Sequence, residues 1–135
     1  MNAMEKLIPH RAPMLWLEAL TECTDKTARA TARFSQDHFA VADGAVLESA
    51  LVECVAQTAA AALGHRAQTA GKSGGPVNGM LAAVSRFRIQ SPAPLDTELT
   101  IDVNEVKRFG PMLLIEGTIS CAGHVIASGE MSLYA

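Results

Sequence analysis

His38, Glu53 and Gln57 are the side chains of this 135-residue chain whose types and spacing best suit proton transfer. The segment from His38 to Gln57 reads HFAVADGAVLESALVECVAQ: a histidine in a turn, then a long run of small and apolar residues with one acid, Glu53, at mid-span. Such a run predicts a helix buried on most of its faces. A carboxylate there is costly unless it is paired, hydrogen-bonded or used. A histidine and an acid within reach of each other supply general acid–base chemistry near neutral pH. Val52, Cys54 and Val55 flank Glu53, a low-dielectric setting expected to raise the pKa of a carboxyl group. Gln57 lies one turn on, along the same face.

Each of these residues also has a plainer reading. His38 as a loop residue near the surface, Glu53 paired with a surface arginine and Gln57 as a structural amide would all be ordinary. His10, in PHRAP, reads as a polar residue locking an N-terminal turn, and is the fallback base if His38 points away. His65 and His124 read as terminal and turn residues.

Elements that would position these groups follow from the pattern. Lys26 to Phe34 alternates Thr and Arg against Ala, the period of a half-buried strand. Met14–Glu22, Met80–Ile89, Glu98–Arg108, Met112–Cys121 and Val125–Leu133 are further strand candidates, divided by SPAP, FGP and AGH turns. A helix is predicted from about Ala45 to Arg66, with Asp43 or Gly44 near its start and Gly64 weakening its end. GKSGGPVNG, Gly71 to Gly79, reads as a mobile loop; it lacks the order of a phosphate loop and precedes a strand. Two strands, one long helix and a four-strand meander give an α+β plan with a five- to six-stranded antiparallel sheet around one helix, as a single domain over 1–135. Several strands read as apolar on both sides, as at Leu113, Leu114 and Ile115. One helix cannot cover such a sheet, so a homodimer is expected.

Composition bounds the function. With 49% hydrophobic and 19% charged residues the chain is globular, and with 4% aromatics its core must be light enough to let a helix approach a sheet closely. A net charge of −3 argues against a nucleic-acid partner. The sequence has no apolar run long enough for a membrane span and no secretory leader, so the expected address is cytoplasmic. Cys23, Cys54 and Cys121 are scattered without metal-ligand spacing and read as reduced core residues; neither a metal nor a cysteine nucleophile is expected.

Four pieces together resemble the hotdog-fold (3R)-3-hydroxyacyl-acyl-carrier-protein dehydratases, including the dehydratase-like proteins of polyene and polyketide clusters. PHRAPMLWLEAL (Pro9 to Leu20) is similar to that family's PHR-x-P opening, and DHF (Asp37 to Phe39) to its GHFP histidine. ECVAQTAAA (Glu53 to Ala61) is similar to its EAMAQAAG helix, and AAVSRFRIQSPAPLDTELTI (Ala82 to Ile101) to its K-F-R-x-P-V-x-P-G-D-x-L segment. The resemblance implies a hotdog fold. It implies that His38 is the general base taking the α-proton and Glu53 the acid protonating the departing hydroxyl, the two coming from different subunits. Gln57 would orient Glu53, and backbone N–H groups around Gly44 would polarise the thioester carbonyl. No cofactor is implied. The implied substrate is a thioester of acyl-carrier protein or CoA, with Arg86, Arg88, Lys107 and Arg108 as candidate carrier-protein contacts.

The chain departs from that pattern around the histidine. Asp37 replaces Gly, Ala40 replaces the Pro after Phe, and VADGAVLES stands where prolines precede the family's helix. A less rigid backbone is expected there, with Asp37 raising the pKa of His38. Two alternatives remain open: a hotdog acyl thioesterase, and a non-catalytic subunit or one pairing with a second dehydratase-like subunit.

Overall fold

The computed structural model describes residues 3–71 and 80–134. The predicted glycine-rich loop therefore lies, beyond Gly71, outside the described residues. A 3-10 turn at Ala3–Lys6 leads to strands β1 (Leu17–Cys23) and β2 (Thr27–Ala32), then to a short hairpin of β3 (Val41–Ala42) and β4 (Ala45–Val46). Helix α1 (Glu48–Thr69) follows, then β5 (Met80–Ile89), β6 (Leu99–Phe109), β7 (Met112–Cys121) and β8 (His124–Tyr134). Six strands form one antiparallel sheet in the order β1-β2-β6-β7-β8-β5. This is the hotdog arrangement expected from the sequence, with one difference. The last four strands are not a simple meander, because β5 pairs with β8 and occupies an edge.

Light residues set the distance between helix and sheet. Ala28, Ala30 and Ala32 of β2 turn inward, with Ile101 of β6 and Ile115 and Ile119 of β7, to meet Ala50, Leu51, Cys54, Val55, Ala59 and Ala62 of α1. The approach is tight at Gly117, where a Cβ would run into the Val55 side chain. Gly64 has a similar role rather than ending the helix. It is buried where Leu7 crosses, and a Cβ there would strike the Leu7 carbonyl. The helix runs on to Thr69 and ends with Gly71 at φ 76, its N–H bonded to the Gln68 carbonyl.

The helix starts later than expected. Asp43 (φ 52) and Gly44 (φ 76) are the two central residues of a tight turn that pairs Val41 with Val46 and Ala42 with Ala45. Asp-Gly between short extended segments is a hairpin signal. Leu47 is extended, and its N–H bonds to the Ala40 carbonyl at 2.8 Å, so the first helical turn begins at Glu48. The acid at that position complements the positive end of the helix.

The outer sheet face does not need the apolar cover that Leu114 suggested. It carries polar rows, with Arg29 bonded to Asp102 at 2.7 Å and to Glu22 at 3.0 Å, beside Glu116 and Thr118. What stands open is the β5 edge, where Ala82 to Arg86 are all exposed and Val84 is 43% accessible.

Candidate active site

Glu53 sits on the half-buried side of α1, and both of its observed partners hold the same carboxylate oxygen. His10 Nε2 lies 3.2 Å from Oε1, and Gln57 Nε2 donates to Oε1 at 3.4 Å. Oε2 has no hydrogen bond among the described residues. The Glu53 and His10 side chains are 30% and 28% exposed, so the acid is half-open in one chain rather than enclosed as its neighbours implied.

Gln57 is fixed from three sides. Its side chain is fully buried, its Nε2 donates to the Met14 carbonyl at 2.8 Å, and its Oε1 accepts the Trp16 N–H at 3.1 Å. A buried amide with both ends bonded has one orientation open to it. That orientation aims an N–H at Glu53, as an orienting residue must. His10 is held by the turn it was expected to lock. The Arg11 guanidinium donates to the Ile8 and His10 carbonyls at 3.0 and 2.8 Å, and Met14 N–H bonds back to Arg11. His10 Nδ1 is buried and has no partner among the described residues.

His38 lies in the loop after β2, among aromatic rings. Phe39 stacks on it at 5.2 Å between centroids, while Phe34 and Trp16 meet it edge-on at 4.8 and 5.9 Å. Its Nδ1 accepts the Ala40 N–H at 3.0 Å. Desolvation lowers its pKa below the ordinary 6.5, opposite to the rise expected from Asp37. The adjacent acid is exposed and solvent screens it, whereas burial among the rings desolvates the imidazole. No hydrogen bond joins His38 to Glu53 within the described residues of one chain.

Trp16 belongs to both environments, since its N–H holds Gln57 while its ring packs against His38. No pattern in the sequence assigns it a role. Being the only tryptophan, next to the PHRAP turn, was the one signal available.

Gly44 is not where an oxyanion site at the helix start requires it. It sits in the β3–β4 turn, and the N–H groups left free by the first helical turn belong to Glu48 and Ser49. The four basic residues are not one patch either. Arg86 and Arg88 lie on β5, while Lys107 and Arg108 lie on β6 with β7 and β8 between. Arg86 pairs with Glu130 at 3.7 Å, Arg108 pairs with Glu105 at 3.7 Å, and Lys107 lies over the Phe109 ring at 4.6 Å. Cys54 is buried, and desolvation, with the nearby Glu53 charge adding to it, pushes its thiol up to about 12. It is no nucleophile at neutral pH.

A family model described as the ApeP dehydratase, ApeP-like, matches residues 2–135. The chain belongs to the ApeP-like dehydratase family. Among solved structures, the dehydratase heterocomplex ApeI:P from Xenorhabdus doucetiae aligns over 97% of this chain and 89% of that one, with TM-score 0.87 and 24% identity. A Helicobacter felis homologue of HP0420 aligns over 99% and 88%, with TM-score 0.72 and 11% identity. Mouse thioesterase superfamily member 2 aligns over 86% and 80%, with TM-score 0.67 and 13% identity. At these identities the structural likeness shows the shared hotdog fold, which dehydratases and thioesterases both use. No curated protein matches the chain. Among the described residues, no helix is long and apolar enough to cross a membrane.

Proposed function

We propose that this chain dehydrates 3-hydroxyacyl thioesters, linked to acyl-carrier protein or CoA, to trans-2-enoyl thioesters in fatty-acid or polyketide/polyene-type synthesis, with Glu53 and His38 as its reacting side chains. One observation carries this reading. Glu53 is tied at Oε1 to two fixed donors or partners, His10 and Gln57, while Oε2 is left unbonded. A carboxyl group with one oxygen anchored and the other free is prepared to exchange a proton with a bound molecule. Membership of a dehydratase family supports the reaction class.

The open β5 edge supports pairing of two chains into one continuous sheet, which would bring His38 of one chain toward Glu53 of the other. A homodimer is the simplest such pair. The partner could also be a second dehydratase-like subunit, and the similarity to a protein solved as a dehydratase heterocomplex favours keeping that second reading.

The test is to incubate the purified protein with 3-hydroxyacyl and 2-enoyl thioesters, following the enoyl chromophore and free thiol together. Interconversion of the two without thiol release is expected. Thiol release without enoyl formation would replace the reading with a thioesterase. Neither signal, alone or with a second dehydratase-like subunit added, would leave a non-catalytic fold.

A further inference from the structure

His38 has one engaged ring nitrogen and one free one, and the engaged nitrogen decides what the free one can do. The Ala40 backbone N–H is a donor only, and it points at Nδ1 from 3.0 Å. A neutral imidazole carries one proton, so the nitrogen that accepts must be the bare one. The proton then sits on Nε2. That atom has no hydrogen-bond partner among the described residues and is not among their buried unpaired atoms. The ring cannot easily turn away from this bond, because Phe39 stacks on it and Phe34 and Trp16 bound its edges. Ala40 can give this N–H because it is not proline. The dehydratase pattern that the chain resembles has proline after the phenylalanine, and proline has no N–H to give.

We infer that the Ala40 amide locks neutral His38 in the tautomer protonated at Nε2, so that this histidine meets an acyl thioester as a hydrogen-bond donor to its carbonyl oxygen and not as the base. Ala40 is a positioning residue acting through its backbone. The tautomer follows from the chain alone, whereas its use on a thioester rests on the dehydratase reading above. The donor withdraws electron density from the carbonyl and so acidifies the C2–H bond. Proton removal then falls to Glu53. Its free carboxylate oxygen takes the C2 proton as the C2–C3 double bond forms and the C3–O bond breaks. The same proton passes back to the departing hydroxide, which leaves as water. One acid–base group thus returns to its starting state after each turnover.

The test is nuclear magnetic resonance of the wild-type protein labelled with nitrogen-15 in its histidine rings and backbone. Above the titration of His38, Nδ1 should resonate as an unprotonated nitrogen and Nε2 as a protonated one, with a coupling across the hydrogen bond from the Ala40 amide to Nδ1. A mixture of tautomers like that of an unstructured peptide, or a proton on Nδ1, would overturn the inference. Crotonyl-pantetheine thioester is then added. The Nε2 proton should move downfield while the Ala40 coupling persists. A saturating ligand that leaves the Nε2 proton unmoved, or no binding at all, would overturn the substrate-facing role. A downfield shift in a protein that shows no dehydration would uphold the donor and break the dehydratase reading, so the two failures are distinguishable.

Discussion

The two histidines beside the central helix have opposite hydrogen bonding. Among the described residues, His10 engages Glu53 through Nε2 and leaves Nδ1 buried without a partner, whereas His38 engages the Ala40 backbone through Nδ1 and leaves Nε2 free. His10 is therefore turned inward, with Nε2 on an acid of its own chain. His38 is turned outward, with a reactive atom committed to nothing. The contrast separates contact with an acid from having an accessible ring nitrogen left over, which of these two histidines only His38 has. The residue best placed to act on a bound molecule is the one whose remaining nitrogen is unsatisfied and accessible.

Substitutions at these residues separate the two roles. Glu53→Gln keeps the shape and the Gln57 contact but cannot exchange a proton, and dehydration should fall by roughly 10²–10⁴. Thermal unfolding should show the fold intact, and unchanged turnover would remove Glu53 from the mechanism. Gln57→Leu leaves the Trp16 N–H and the Met14 carbonyl unpaired and removes one of the two contacts on Glu53 Oε1. A stability loss of about 1–3 kcal/mol is expected in denaturant titration, with reduced turnover.

His10→Phe keeps a ring in the turn but removes the contact to Oε1. If His10 only holds the acid, turnover should fall about two- to tenfold, the rate equivalent of one ordinary hydrogen bond. A loss as deep as that of Glu53→Gln would reverse the comparison and make His10 a reacting group. The smallest effect concerns pH. Burial lowers the pKa of His38 below 6.5, so as pH falls the unfolded chain takes up that proton first. Its contribution to stability is therefore whole above about pH 6.5 and is lost as pH drops toward the folded-state pKa. His38→Gln should give a shallower decline in melting temperature between about pH 7 and pH 5. An equally steep decline would mean that the ring is not desolvated.

Much of this was legible in the sequence where a period or a motif had one physical meaning. The Thr/Arg–Ala alternation of β2 could only be a strand with alanine inside, and Gln57 one turn after Glu53 could only share its face. Elsewhere local signals competed. Ala45 and Val46 read as helix by composition, but Asp43-Gly44 made them half of a hairpin, and Gly44 lost its place at the helix start. Gly64 read as a helix breaker, while its actual constraint is a crossing by Leu7, a contact that no local pattern contains. The His10–Glu53 contact spans 43 positions and depends on how the N-terminal turn folds over α1. The fate of His38 turned on the presence of one backbone hydrogen at Ala40, visible only once the loop conformation is known.

Whether His38 of one chain serves with Glu53 of another is decided by complementation. His38→Ala and Glu53→Gln proteins are prepared separately, then mixed, unfolded and refolded together. Both starting proteins should be inactive or nearly so. Random pairing into two-fold dimers gives each mixed dimer one intact site and one doubly defective site, so about one quarter of wild-type activity should return. If the mixture stays as inactive as its components while both variants are folded and exchanging chains, the shared site is wrong, and Glu53 works with groups of its own chain.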